Sequence, residues 1–296
     1  MLNNCSIIIP TYYPGEIINN LLNSLPEAKE IIILDNSDDI NLKKLIIDRY
    51  KNIKYINTGD IGLGKTFNMA LEIAKSNQIF LTQPDVILRK NCLENLLLAK
   101  KKYKDAAVLA PLLFEKNNYS IYDHLDLALD KKKRITHRSN ANRIYKFPSG
   151  DFCVEAINST ALLIDKKKIT TVKGWDDYFY TYLEDIDLCL RLRKKNLEII
   201  KVFESQVDHV GFGSHQKENE DNANENRIFN FCRSSIYFNF KHRSKIFFTQ
   251  RTILEILKIL LKIILNSILF RRKKIKENFL RIKAYNSFFL EKFAKK

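Results

Sequence analysis

Short apolar, β-branched runs recur through the first 110 residues, and each is followed by a stretch long enough for a helix. The runs cover residues 6–10, 31–35, 53–57, 79–83 and 107–111, and they start 22 to 28 residues apart. Helix-like segments fill the gaps at 15–25, 41–51, 65–76 and 89–103. Ile31-Ile-Ile-Leu34 is apolar without alternation, as a strand covered on both faces requires. Strands alternating with helices of this length give βαβ units and a parallel sheet, so the fold class is α/β with helices on both faces. In such sheets ligands gather beyond the carboxyl ends of the strands. Attention therefore falls on Thr11-Tyr12, Asp35-Asn36-Ser37, the loop from Asn57 to Asn68, and Pro84-Asp85.

After residue 112 the pattern loosens. Residues 115–150 are polar, carry a Lys131–Arg134 cluster, and read as a surface excursion. Further strands are expected at 161–164 and 197–202, with a helix at 185–195 between them. The acidic, Asn-rich stretch 218–226 reads as a loop or lid. Five cysteines, none in a CxxC pair, argue against a disulfide framework, and the N-terminus shows no export signal. A cytoplasmic setting is the expectation.

Charge divides the chain. Of the formal +16, residues 241–296 hold +13, from 16 basic and 3 acidic side chains. Within them residues 252–270 are mostly Ile and Leu, with Glu255, Lys258, Lys262 and Asn266 forming one polar stripe at helical spacing and Arg271-Arg-Lys-Lys274 following. Lysines in mid-helix disfavour a spanning segment. The expectation is a basic amphipathic helical tail that associates with an anionic membrane surface through 246–296, the chain being peripheral on the inner face of the membrane. Basic charge confined to a tail beside an Ile/Leu helix is not the pattern of a nucleic-acid binder.

Four motifs carry possible chemistry. Gly59-Asp-Ile-Gly-Leu-Gly64-Lys65-Thr66 satisfies GxxxxGK[ST], which makes a P-loop nucleotide triphosphatase or kinase the rival function. Thr82-Gln-Pro-Asp85 places a carboxylate at a strand end, where it suits a divalent cation bridging phosphates or, equally, a turn and helix cap. Glu184-Asp-Ile-Asp187 follows the aromatic run Tyr178-Phe-Tyr-Thr-Tyr182. It serves either as a helix start, with Asp187 pairing to Arg191, or as a general base beside a sugar platform. His209, in Val207-Asp-His-Val-Gly-Phe-Gly-Ser214, is a possible metal ligand with His215 as competitor; His124, His137 and His242 have no evident partner.

Taken in order, these segments resemble family two glycosyltransferases of the GT-A fold, particularly the bacterial rhamnosyltransferase-like branch, over residues 5–240. Ser6-Ile-Ile-Ile-Pro-Thr-Tyr12 is similar to the opening strand and nucleotide-contacting turn, and Ile33-Leu-Asp-Asn-Ser-Asp38 to the next strand end. Asn57-Thr-Gly59, Gly64 and Asn68 resemble the family's Asn- and Gly-rich loop. Thr82-Gln-Pro-Asp85 falls at the DxD-type metal motif, with Gln83 in place of the first acid. Trp175 to Phe179 and Glu184-Asp185 are similar to the acceptor block and ED motif, with Ser159-Thr160 where Gly is more usual.

The resemblance implies a nucleotide-sugar half at 1–112, an acceptor and catalytic half at 150–215, and a domain ending near 240. It implies inverting transfer from a nucleoside-diphosphate sugar to a glycan or lipid-linked acceptor in surface polysaccharide or lipopolysaccharide synthesis. Asp185 is then the base. Thr11, Tyr12, Asp35 (toward the nucleotide base), Asn57, Gly59, Gly64, Asn68 and Asp85 bind the donor. Trp175, Tyr178 and Glu184 meet the acceptor, and Asp85 with His209 holds Mg²⁺ or Mn²⁺.

Overall fold

The computed structural model describes residues 2–50, 52–120, 122–127, 147–211 and 220–293. One mixed sheet runs in the order β3-β2-β1-β4-β9-β6-β10-β5. Its left half is parallel: β1 (Cys5–Thr11) pairs with β2 (Glu30–Asp35) and with β4 (Gln78–Thr82), and β2 pairs with β3 (Ile53–Asn57). These strands match the expected runs to within a residue, and the helices between them lie within three residues of the expected bounds: α1 (Ile18–Ser24), α2 (Ile40–Arg49), α3 (Leu63–Ile73) and α4 (Cys92–Lys102). The core is built from the unalternating strands, with Ile7, Ile9, Ile33, Phe80 and Leu163 fully buried.

The right half decides where the site lies. β9 (Ala161–Asp165) runs antiparallel to β4 on one side and to β6 (Ala106–Glu115) on the other, and β10 (Glu198–His209) runs parallel to β6. The carboxyl ends of β1, β2, β3, β4, β6 and β10 therefore share one edge, joined there by the first residue of β9. Short strands complete the sheet: β5 (Val86–Leu88) and β8 (Phe152–Cys153) against β10, and β7 (Asn118–Tyr119) against β6.

β10 reaches seven residues beyond the expected end at 202. Its register shifts between Val202 and Gln206, so the polar run that follows still pairs with β6 and β5. A buried ion pair, Lys201 Nζ to Asp123 Oδ1 at 2.6 Å, fastens the excursion after β7 to this strand, and His124 proves to have a partner in the same aspartate. Two helices flank the later strands, α5 (Lys166–Thr170) and α6 (Glu184–Lys194). All five cysteines are free. The Lys131–Arg134 cluster, His137, Gly213 and His215 lie outside the described residues.

A second compact unit comprises residues 129–136, 179–183 and 218–296, and its described residues, 179–183 and 220–293, include α7 (Glu220–His242), α8 (Lys245–Ile268) and α9 (Arg272–Phe293). Of the stretch 218–226, expected as a loop, residues 220–226 form the first turns of α7. Tertiary packing overrides its composition, for α7 lies along α9 and Glu225 pairs with Lys276. The basic region expected from 241 is thus part of a three-helix unit. Phe240, Phe248 and Phe288, one from each helix, form its aromatic centre with ring centroids 5.4–5.9 Å apart. Ser244 caps α8 by accepting from the Phe247 N–H. Among the described residues no helix is long and apolar enough to cross a membrane.

Candidate active site

At the carboxyl end of β2, Asp35 organises the turn. Its Oδ1 accepts from the Thr11 hydroxyl (3.1 Å), the Ser37 N–H (3.0 Å) and the Ser37 hydroxyl (2.6 Å), while Oδ2 accepts from the Tyr55 hydroxyl (2.6 Å). Burial, and then the bond to Asp35, pushes the Tyr55 hydroxyl above its ordinary range. Asp35 is 0 % exposed, and its carboxylate is engaged in these four bonds within the turn. The rim above it consists of half-buried Tyr12 and exposed Asn57, Gly59 and Asp38. Asn57 accepts from the Gly59 N–H and donates to Asp38, an acid that sequence reasoning quoted but did not assign.

The P-loop reading fails at Thr66. A phosphate-binding loop needs that hydroxyl free for Mg²⁺, whereas Thr66 is 0 % exposed and its Oγ1 lies 2.7 Å from Asn36 Oδ1 and 2.8 Å from the Gly62 carbonyl. Gly64 is buried in the first turn of α3, and Lys65 is exposed. Lys65→Ala is expected to leave nucleotide affinity within about twofold, as for other surface substitutions, by isothermal titration.

Asn68 and Trp175 also act from inside. Asn68 Oδ1 accepts from the Trp175 N–H (2.8 Å), and its Nδ2 donates to the Trp175 carbonyl (2.9 Å) and to Asp177 (2.7 Å). Asn68 thus clamps the 174–177 turn onto α3. Trp175, expected to stack on an acceptor sugar, is 2 % exposed and rests on Phe67 with centroids 4.8 Å apart. Its ring belongs to the core. Tyr178, half-buried, keeps part of its surface open.

The pairing of β5 with β10 brings Asp85 and His209 together. His209 lies opposite Val86, and the Val210 N–H donates to the Asp85 carbonyl. His209 Nε2 is 3.3 Å from Asp85 Oδ2, and Nδ1 is 3.4 Å from Glu115 Oε1, a partner the sequence did not reveal because it ends a different strand. Burial pulls the imidazole down, but the two carboxylates outweigh it and the net shift is upward.

The ED pair opens α6. Asp185 Oδ1 accepts from the Ile186 N–H (2.7 Å) and Oδ2 from the Ser159 N–H (3.3 Å). Burial lifts its carboxyl from 3.8 to about 6, although both N–H groups pull the other way. Glu184 is buried, and burial together with the neighbouring Asp185 raises it well above the ordinary glutamate range. Asp187 pairs with Arg191 (2.7 Å), as its spacing predicts, and Arg191 also donates to the carbonyls of Val172 and Gly174.

One crossing ties the two halves. Thr82 pairs with Ala161 and the Gln83 N–H donates to the Thr160 carbonyl, so Asp85 lies three residues after the end of β4 and Ser159, which holds Asp185, two residues before the start of β9. The edge thus gathers a hydroxyl- and amide-lined turn, an acid–imidazole pair and a carboxyl of raised basicity.

Comparison with known proteins agrees with this arrangement. The chain is 28% identical over 212 residues to the rhamnosyltransferase WbbL of Escherichia coli K12, covering 63% of this chain and 75% of that one. It is 23% identical over 230 residues to the N-acetylglucosaminyl-diphospho-decaprenol L-rhamnosyltransferase of Mycobacterium tuberculosis, covering 69% and 75%. A crystal structure of GalNAc-T7 with UDP, GalNAc and Mn²⁺ shares the fold at a TM-score of 0.56 and 14% identity, covering 87% of this chain and 58% of the other. The model for Glycosyl transferase family 2 matches residues 6–157. Matched by that model over half its length, with a GT-A sheet beneath the match, the chain belongs to glycosyl transferase family 2 and is a nucleotide-sugar-dependent glycosyltransferase.

Proposed function

We propose that the protein is an inverting transferase that moves a sugar from a nucleoside-diphosphate donor to a hydroxyl of a glycan or lipid-linked acceptor, in the assembly of a bacterial surface polysaccharide or lipopolysaccharide. The observation that carries this reading is Asp185. It is a carboxyl raised to about 6 and held by the Ser159 N–H at the sheet edge that also carries the Asp85–His209 pair. A carboxylate of that basicity takes the acceptor proton as the oxygen attacks the anomeric carbon on the side opposite the diphosphate. Burial supplies that basicity, because it disfavours the charged form of Asp185.

On the donor side the turn held by Asp35 and Thr11 positions Tyr12, and the Asn57–Gly59 contact fixes the rim against which the nucleotide packs. The relatives named above support the acceptor class: one of them is described as acting on a diphospho-decaprenol. A lipid-linked acceptor in turn supports a place on the cytoplasmic face of the membrane.

The donor set fits a divalent ion. Asp85 and His209 offer one oxygen and one nitrogen 3.3 Å apart, a combination suited to Mn²⁺ or Mg²⁺ that takes its remaining ligands from diphosphate and water. Among the described residues no group of three or more His, Cys, Asp or Glu is arranged to hold an ion alone. Gln83, where the family pattern has an acid, removes one charge more. When bound there, the ion would neutralise charge on the departing diphosphate.

Thermal shift with a panel of sugar nucleotides tests this directly. The cognate donor should raise the melting temperature further when Mn²⁺ is present, and Asp85→Ala should abolish the Mn²⁺-dependent part while leaving the apo melting temperature within a few degrees. Equal stabilisation with and without metal would remove Asp85 and His209 from the ion site. A retained anomeric configuration in the product, read by proton NMR, would overturn inversion.

A further inference from the structure

Helix α8 is built inside out. Its buried positions are Thr252, Ile259 and Asn266, two of them polar, and Glu255 is half-buried beside Tyr285 of α9. The polar stripe legible in the sequence is therefore divided: Glu255 and Asn266 turn toward the neighbouring helices, while Lys258 and Lys262 stay exposed. At about 100° per residue, Ile253, Leu257, Leu260, Leu261, Ile264 and Ile268 fall on the side opposite the packed one. Each of these is 46–67 % exposed. Soluble surfaces rarely leave so long a row of large apolar side chains open, for their largest patches cover only a few hundred Å².

We infer that this face of α8 is a docking surface for an anionic lipid bilayer, on which the helix lies in the plane of the headgroups. It extends the membrane reading above by naming the face and its rim, and only its link to a lipid-borne acceptor rests on the function proposed there. Charge selects the occupant. Arg251, Lys258 and Lys262 run along one margin of the apolar arc, and Arg271, Arg272, Lys273 and Lys274 stand exposed at the turn into α9. No acid lies within the arc: Glu255, the helix's one carboxylate, is half-buried and pairs with Lys258 at the margin (3.6 Å). An apolar strip bordered by cations matches acyl chains below phosphate headgroups. A second copy of the chain fits poorly, because a two-fold interface through this face would bring like-charged margins together. Spanning is excluded as an alternative for α8, which is not apolar enough to cross.

The test uses the full chain and sedimentation with vesicles of phosphatidylcholine, with and without phosphatidylglycerol. The wild-type protein should partition onto the phosphatidylglycerol vesicles and leave them as salt is raised. Leu257→Glu/Leu261→Glu/Ile264→Glu, three exposed positions whose change spares the packed face, should lower partitioning at least about tenfold. Lys258→Glu/Lys262→Glu should lose about fivefold per residue on anionic vesicles. Absence of binding to either vesicle overturns the proposal. So does a wild-type dimer in light scattering that the leucine substitutions convert to monomer without any effect on lipid. Stabilisation by sugar nucleotide, measured on the same triple variant, keeps the readings apart. If it persists while lipid binding is lost, the transferase reading stands; if no sugar nucleotide stabilises a protein that does bind vesicles, that reading fails and the lipid surface remains.

Discussion

Asp185→Asn should reduce sugar transfer by about 10²–10⁴-fold, the range general-base help contributes, while donor affinity by titration stays close to wild type. The amide keeps the shape of the side chain but cannot take a proton from the attacking hydroxyl. In the wild-type enzyme kcat/KM should fall on the acid side with an apparent pKa of about 6, because the carboxyl must be ionised to work and burial has lifted it that far. Stability should move the other way. A carboxyl raised from 3.8 to about 6 binds its proton more tightly in the folded chain, so its contribution is full below pH 3.8 and lost as pH rises through 6. The Asn variant carries no such titration and should melt higher than wild type at pH 8. A variant that retains most of its turnover, or a wild-type profile flat from pH 5 to 8, would remove Asp185 from the role of base.

Gly174→Ala should be among the most damaging single-methyl changes in the chain, lowering stability by about 3 kcal/mol in denaturant unfolding. Two effects add. Gly174 sits at φ +65°, a left-handed conformation that costs a side-chain-bearing residue energy, and a Cβ there would collide with the Asn68 side-chain oxygen. That oxygen cannot retreat cheaply, because it accepts the Trp175 N–H while its own amide donates twice to the same turn. The clash is separable from the backbone strain. In an Asn68→Ala background the same glycine substitution should cost clearly less, and the difference is the coupling between the two sites. An unchanged cost in both backgrounds would assign the whole effect to φ.

The parallel half of the sheet was legible because β1, β2 and β4 are buried on both faces and its helices are short, so periodicity and length agree. The carboxyl-edge rule pointed to Asp85 among other strand ends, and the strand pairing sets His209 beside it and brings Ser159, which holds Asp185, close to the same strand end. What sequence could not show was which polar or aromatic groups face outward. Asp35 and Trp175 look like ligand contacts because their residue types suit nucleotides and sugars; both are buried, by partners 24 and 108 positions away in Thr11 and Phe67. Glu115 and the Ser159 N–H escaped notice for the same reason, since each acquires its role through a strand pairing that no local pattern encodes. The helical start of α7 was hidden by a composition that usually marks loops.

The reversed direction of β9 separates two kinds of variation. Donor-side groups terminate strands of the first 112 residues, whereas Ser159 introduces its strand, so the segment preceding it can lengthen or shorten without shifting the register of β1 to β4. Residues 152–156 pair with β10 and Leu125, so only a change of length ahead of residue 152 falls before every contact that leads to Ser159. Such an architecture separates the chain length of the proposed acceptor side from the dimensions of the proposed donor cradle.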